Sequence, residues 1–281
     1  MSQVIFNADD FGRSSAINEA VKLAHQQGVL TSASLMVAET AWEEAVSIAR
    51  EMPDLAVGLH VVVISGKAVL PPEEIPLLVD ENGHFSSDPF QAGLLYFFHR
   101  EARAQLHKEI TAQFERFADT RLCLCHVDGH LHMHLHPTIL DLLLPLAISQ
   151  QSSGIRLPRD DYRLAINFDK SRRATKASWA LVFGLLCRRS IRQLKNSPLK
   201  YAARVYGLMQ SGQMAESYVI RALEKLQVPS AEFYFHPSTL IGSHQLGPNP
   251  GDLATLVSSR VKAVLTENNH QLSTYCALDE G

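Results

Sequence analysis

Residues 4–63 read VIFNADDFGRSSAINEAVKLAHQQGVLTSASLMVAETAWEEAVSIAREMPDLAVGLHVVV, and this stretch decides the fold. Val4–Asp9 is a short apolar run ending in acid, as a buried strand would. Ile17, Ala20, Val21 and Ala24 then recur at helical spacing until Gly28 stops them. Ser32–Val37 predicts a second strand. Thr40-Ala-Trp-Glu43 has the pattern of a capping box, opening a helix with Ala45, Ile48 and Ala49 inward. Pro53-Asp54 breaks that helix, and Leu55–Val63 is a long apolar strand interrupted by one histidine. Strand, helix, strand, helix, strand in sixty residues predicts βα units around a parallel sheet.

Working outward, residues 64–90 carry Gly66, Pro71, Pro72, Pro76, Gly83 and Pro89, which predicts a long loop serving as lid or rim. A helix near 100–118 and a strand at Leu122–Val127 follow. A histidine-rich run comes next, and Pro137 opens an apolar helix. Gly154–Leu157 predicts a strand, residues 160–200 break the rhythm, and a helix at 214–226 restores it. The strand Glu232–Phe235, a helix at 251–265 and a last strand near 272–278 complete the chain. The expectation is a single α/β domain over residues 1–281. It would be a distorted (β/α) barrel of seven to eight strands, with insertions at about 64–90 and 160–215.

Composition narrows the classes. The chain has 281 residues, 46% hydrophobic and 20% charged, so it can build a core and is neither disordered nor a disulfide scaffold. A net charge of −3 argues against a nucleic-acid partner. Cys123, Cys125, Cys187 and Cys276 are too few for a disulfide framework, and Met-Ser-Gln runs straight into a strand with no leader pattern. Both features predict a cytoplasmic protein with reduced thiols. Cys123-Leu-Cys125 reads as core packing, since no second cysteine pair lies nearby in sequence.

Ionisable residues mark the downstream strand ends: Asp9 and Asp10, His60, then His126, Asp128 and His130, then Arg156, then His236. In a βα barrel those ends meet on one face, where the active site lies. Acids and imidazoles gathered there are costly unless something pairs them, and a divalent metal would. From position 130 to 136 histidine occupies every second place. On a strand all four would point one way, more than one ion can use. Two imidazoles and a carboxylate would leave positions open, as in a catalytic site.

Asn7-Ala-Asp-Asp-Phe-Gly12, Gly58-Leu-His60, His126-x-Asp-Gly-His130-x-His-x-His134 and Phe235-His236-Pro237 together resemble the YdjC-like family of carbohydrate deacetylases. Leu70–Pro76, Ala92–Phe98 and Val205–Gly212 resemble its hopanoid-biosynthesis-associated subgroup (HpnK). The resemblance implies a distorted barrel, a divalent metal assigned as magnesium, and hydrolysis of an N-acetyl group on an amino sugar, here an N-acetylglucosaminyl hopanoid. It implies Asp10, His60 and His130 as metal ligands and Asp9 as catalytic base. It further implies His236 as general acid, with His126, His132 and His134 as alternatives, and Arg156 as the residue orienting Asp9. Two histidines and one aspartate suit zinc or another transition metal better than magnesium, which leaves the ion open. The resemblance to that subgroup implies Asn in the third motif, where this chain has Asp128, which would add a carboxylate near the site. Family analogy suggests a homodimer. The competing readings are hydrolysis of another amide or a phosphoester, and a non-catalytic sugar- or lipid-binding protein.

One segment stands apart. In residues 170–200, Lys170, Arg172, Arg173 and Lys176 precede Trp179–Cys187, and Arg188, Arg189, Arg192, Lys195 and Lys200 follow. The apolar run is far short of the ~20 residues that span a bilayer. It reads either as a helix in the membrane interface, with the protein peripheral at the inner membrane, or as an ordinary barrel helix.

Overall fold

The structure is a computed structural model describing residues 1–241 and 247–279. The first strand, β1 (Gln3–Phe11), is buried on both faces except at its first residue, as expected of a parallel strand covered by helices. Helix α1 (Ser15–Gln27) starts where the Ser14 hydroxyl accepts from the Ile17 N–H, and it buries Ile17, Ala20, Val21 and Ala24. Next come β2 (Ser32–Leu35), α2 (Trp42–Glu51) and β3 (Ala56–Val61). The expected capping box before α2 does not form. The cap is Ala41, without a side-chain bond, and the Thr40 hydroxyl donates instead to the Arg13 carbonyl at 3.3 Å.

Residues 64–88 make a long excursion, internally braced by antiparallel bridges Lys67–His84 and Val79–Phe85. It leads into α3 (Pro89–Phe98), and α4 (Arg100–Asp119) runs on to β4 (Leu124–Gly129). The excursion is held down by α4. Buried Glu109 accepts from the N–H groups of Val69 and Leu70, at 2.8 and 3.0 Å, and Gln105 accepts from Leu77 at 2.9 Å. After β4 the alternating histidines do not form a strand. Leu131 and His132 adopt φ of +50° and +55°, folding His130–Leu135 into a 3₁₀ turn that sends its side chains in different directions.

Helix α5 (Pro137–Ser149) and β5 (Gly154–Ile155) follow, then α6 (Tyr162–Phe168) and α7 (Arg173–Leu194). Strand β6 (Arg204–Tyr206) lies inside the segment expected to be an insertion, so 160–215 is partly barrel. Helix α8 (Glu216–Glu224) and β7 (Ser230–Phe235) come next. The helix expected at 251–265 is two, α9 (Pro250–Leu256) and α10 (Ser259–Glu267), because the Ser258 hydroxyl caps a new start. The last strand, β8 (Gln271–Leu272), is two residues long and is followed by a 3₁₀ turn.

The strand order is β5-β4-β3-β2-β1-β7-β6, all pairs parallel, with β8 against the first residues of β1. The two ends, β5 and β6, are not paired. That seam is bridged by Gly154–Lys200 and by the Val205 N–H donating to the Arg159 carbonyl at 3.3 Å. The fold is a curled parallel sheet forming a distorted barrel, with every strand's C-terminal end at one mouth. Among the described residues no helix is long and apolar enough to cross a membrane.

Candidate metal centre and acid–base site

Asp10, the penultimate residue of β1, has φ +63°, a left-handed conformation tolerated by aspartate and concentrated at functional sites. Gly12 follows at φ +93°, and a Cβ there would lie 2.9 Å from the Met36 carbonyl oxygen, so only glycine fits. The turn aims the Asp10 carboxylate into the mouth. Its Oδ2 accepts from Arg13 at 3.0 Å. Its Oδ1, fully buried, has no hydrogen-bond partner, although His130 Nδ1 lies 3.2 Å and His60 Nε2 3.6 Å away.

An orphaned buried oxygen facing two imidazole nitrogens is what a cation site looks like without its cation. The donor atoms of Asp10, His60 and His130 all lie within 4.8 Å of one another. The tautomer of His60 fits as well. Its Nδ1 hydrogen bonds to Asp128 Oδ1 at 2.8 Å, which leaves the Nε2 lone pair facing Asp10. A carboxylate behind the ligating ring is the usual way of orienting such a histidine. Burial opposes a charge on His60, yet Asp128, Asp9 and Asp10 raise its pKa. That surplus of negative potential is one a cation would neutralise.

A second triad, Asp9, His60 and Asp128, is equally compact, but its oxygens are already committed. The buried Arg156 guanidinium donates to both oxygens of Asp9, at 2.8 and 2.7 Å, and Asn7 Nδ2 adds a bond at 2.9 Å. Asp128 takes the His60 ring, the Ser34 hydroxyl at 2.9 Å and Arg156 Nη1 at 2.5 Å. The Asp128 carboxylate therefore sits behind His60 rather than facing the candidate metal site. Arg156 also donates from Nε and Nη2 to Glu232 Oε1, at 2.9 and 2.8 Å. One buried cation thus bridges three buried carboxylates.

His236 also approaches Asp9, with Nε2 4.0 Å from Asp9 Oδ2 and 14% of its side chain exposed. Its backbone N–H is fixed by Asp252, which also accepts from Met214. The remaining histidines of the motif are buried and hydrogen-bonded within the barrel. His126 Nε2 lies 3.0 Å from the Ser34 hydroxyl, and the ring packs so close to β3 that a Cβ on Gly58 would be 2.3 Å from it. The His134 Nε2–H donates to the Arg156 carbonyl at 2.9 Å, and His132 Nε2 lies 3.0 Å from the Tyr234 hydroxyl. Burial pushes the pKa of His126 and of His134 down to about 4, and burial with Arg156 nearby holds His132 well below its ordinary value. All three are neutral at pH 7.

The residues singled out in the sequence, Asp9, Asp10, His60, His130, Arg156 and His236, meet at this mouth. Sequence reasoning assigned no role to Asn7, Arg13, Ser34, Glu232 or Asp252. Glu232 carried a signal, being a lone acid within the apolar strand Ala231–Phe235. Of the cysteines read as core packing, Cys125 is buried but Cys123 is exposed.

Residues 3–267 match the family described as YdjC-like protein. A carbohydrate deacetylase of Brevibacillus brevis is 30% identical over 281 residues, covering 98% of this chain and 99% of that protein. A carbohydrate deacetylase of Geobacillus stearothermophilus is 39% identical over 161 residues, 57% of this chain and 60% of its own length. Among solved structures, a protein from Enterococcus faecalis V583 named for cellobiose-phosphate cleavage superposes with a TM-score of 0.75 at 22% identity. The match covers 99% of both chains and shows the shared barrel.

Proposed function

The chain belongs to the YdjC-like family, and from that premise we propose that it is a metal-dependent hydrolase that removes the acetyl group from an N-acetylated amino sugar. The deacetylase names of its relatives support the reaction class and the sugar. The observation that carries the reading is the division of labour between two adjacent aspartates. Asp10 keeps an oxygen without a hydrogen bond beside His60 Nε2 and His130 Nδ1, while Asp9 is held by Arg156 next to His236.

Asp10, His60 and His130 would hold a divalent ion, which supplies Lewis acidity that lowers the pKa of water and polarises an acyl carbonyl. The ligand types favour zinc or another transition ion over the magnesium usual for the family. Asp9 accepts the proton of the attacking water, and Arg156 fixes its carboxylate plane for that transfer. His236 protonates the departing amine; positioned proton transfer of this kind contributes roughly 10²–10⁴-fold. His126, His132 and His134 are held neutral and hydrogen-bonded, which favours His236 as the acid.

Within the amino sugars, the likeness of residues 70–76, 92–98 and 205–212 to the hopanoid-associated subgroup supports an N-acetylglucosaminyl hopanoid as substrate. That reading goes with a cytoplasmic protein in peripheral membrane contact through 170–200; a homodimer rests on family analogy. The test is acetate release from N-acetylglucosaminyl lipid and from soluble acetamido sugars, with and without chelator. Acetate release that stops on chelation and returns with a divalent ion is expected. Phosphate release from sugar phosphates would favour the phosphoesterase reading, and binding without turnover would leave a sugar-binding protein.

A further inference from the structure

The mouth of the barrel is bordered by apolar side chains that stand exposed among the described residues. Helix α3 exposes Phe90 (73%), Phe97 (47%) and Phe98 (72%), and α7 exposes Leu181 (65%) and Leu185 (55%). Between them the 3₁₀ turn bearing His130 exposes Leu131 (51%). The two helices straddle that turn. Phe97 stands edge-on to His136 with ring centroids 6.2 Å apart, and Phe183 of α7 stands edge-on to His132 at 5.6 Å. A soluble surface rarely concentrates apolar groups in this way except at an interaction site.

Helix α7 shows the bias most clearly. Its outward stripe at helical spacing, Ala174, Ala177, Leu181, Leu185, Arg188 and Arg192, is apolar through the middle and basic at the end, whereas a barrel helix ordinarily turns polar groups outward. The helix has four arginines, one lysine and no acid. Lys176 is paired with Asp169 and Arg189 with Asp141, while Arg173, Arg188 and Arg192 have no ion pair among the described residues. Beneath α7 a cleft of about 220 Å³ is lined by Arg159, Arg188 and Arg204 beside Phe183. Its one carboxylate, Asp160, is occupied by the backbone N–H groups of Asp161, Gly207 and Met209. On the other side Arg100 and Arg103 follow α3 directly, with Glu101 between them.

We propose that α3, the His130 turn and α7 form one docking face for an anionic phospholipid surface, which seats the mouth of the barrel against the bilayer. Aromatic and leucine side chains suit the acyl boundary, and the arginines suit lipid phosphates. The charge complementarity favours an anionic bilayer over a second copy of this chain, whose matching face would bring the same arginines together. The proposal deepens the deacetylase reading by making its substrate a membrane-embedded glycolipid, but membrane binding itself requires no turnover.

Co-sedimentation with phosphatidylcholine vesicles, with and without about one-third phosphatidylglycerol, tests it at low and high salt. The protein should sediment with the anionic vesicles and release as salt rises. The double variants Phe90→Ser/Phe98→Ser and Leu181→Ser/Leu185→Ser should each weaken binding at least about tenfold, from lost apolar burial. Both should keep the parent's circular dichroism, melting transition and rate on a water-soluble acetamido sugar. No binding to anionic vesicles, or binding unchanged in both variants, overturns the proposal. So does a dimer in analytical ultracentrifugation that these substitutions dissociate, since a second copy would then cover the face. Loss of soluble-sugar turnover in the parent protein would instead count against the deacetylase reading alone.

Discussion

The two halves of the barrel are built differently. From β1 to β4 the strands reach four to nine residues, pair in parallel with register shifts between Ala8 and Phe11 and between Val57 and Leu59, and end in the side chains of the site. Around the seam, β5 and β6 are two and three residues long, and a 22-residue helix beside them turns leucines outward. The first half positions chemistry, and it can do so because main-chain ladders fix each strand end. The second half contributes Arg156, Glu232 and His236 around Asp9, and much of the rest of its sequence shapes the surface around the mouth. Rigidity and exposure are divided between the halves, and the Arg156 guanidinium joins them beside the β1–β7 ladder.

That comparison breaks first at Arg156. Replacing it by Met leaves Asp9, Asp128 and Glu232 buried together without their cation, and removing one partner of such a network costs about 3–5 kcal/mol. Arg156→Met should therefore lower the denaturation free energy by about that amount; a loss below about 1 kcal/mol would mean the two halves are not joined there. A smaller effect is expected at Glu109, which ties the 64–88 excursion to the long-stranded half. Glu109→Ala strands the N–H groups of Val69 and Leu70 and should cost about 1–3 kcal/mol. The same variant should speed proteolysis within 64–88; an unchanged cleavage rate would show that the excursion is held by its apolar contacts.

The smallest effect sharpens the contrast on the seam side. Burial raises the Asp160 pKa to about 6, against 3.8 for the free side chain. The stability it contributes is full while both states are protonated, below the free value, and is lost as pH rises through 6. Asp160→Asn, which keeps an acceptor for Gly207 and Met209, should accordingly be more stable than the parent at pH 7–8 by about 1–2 kcal/mol. The two proteins should converge below about pH 4. A difference independent of pH would assign the effect to the lost hydrogen bonds.

How much of this the sequence displayed follows from range. Asp9, Asp10 and His60 stood out because each interrupts an apolar run at a strand end, a purely local pattern. The bridging role of Arg156 did not, since its carboxylates lie 147 and 76 positions away and only the closed barrel brings them together. Histidines at every second position imply a strand by periodicity alone, and the left-handed backbone at Leu131 and His132 overrides that pattern. Strand β6 escaped notice because three residues carry no periodicity. Thr40 lost its capping role to a tertiary partner, the Arg13 carbonyl, which no local rule anticipates.

The central claim is that neighbouring aspartates divide the work, Asp10 holding the metal and Asp9 moving the proton. It is tested most directly by purifying Asp9→Asn and Asp10→Asn, measuring bound divalent metal and following acetate release. Asp9→Asn should retain the parent's metal content and lose roughly 10²–10⁴-fold in turnover, while Asp10→Asn should lose both metal and turnover. Equal metal content in the two variants, or full turnover in Asp9→Asn, would contradict the account.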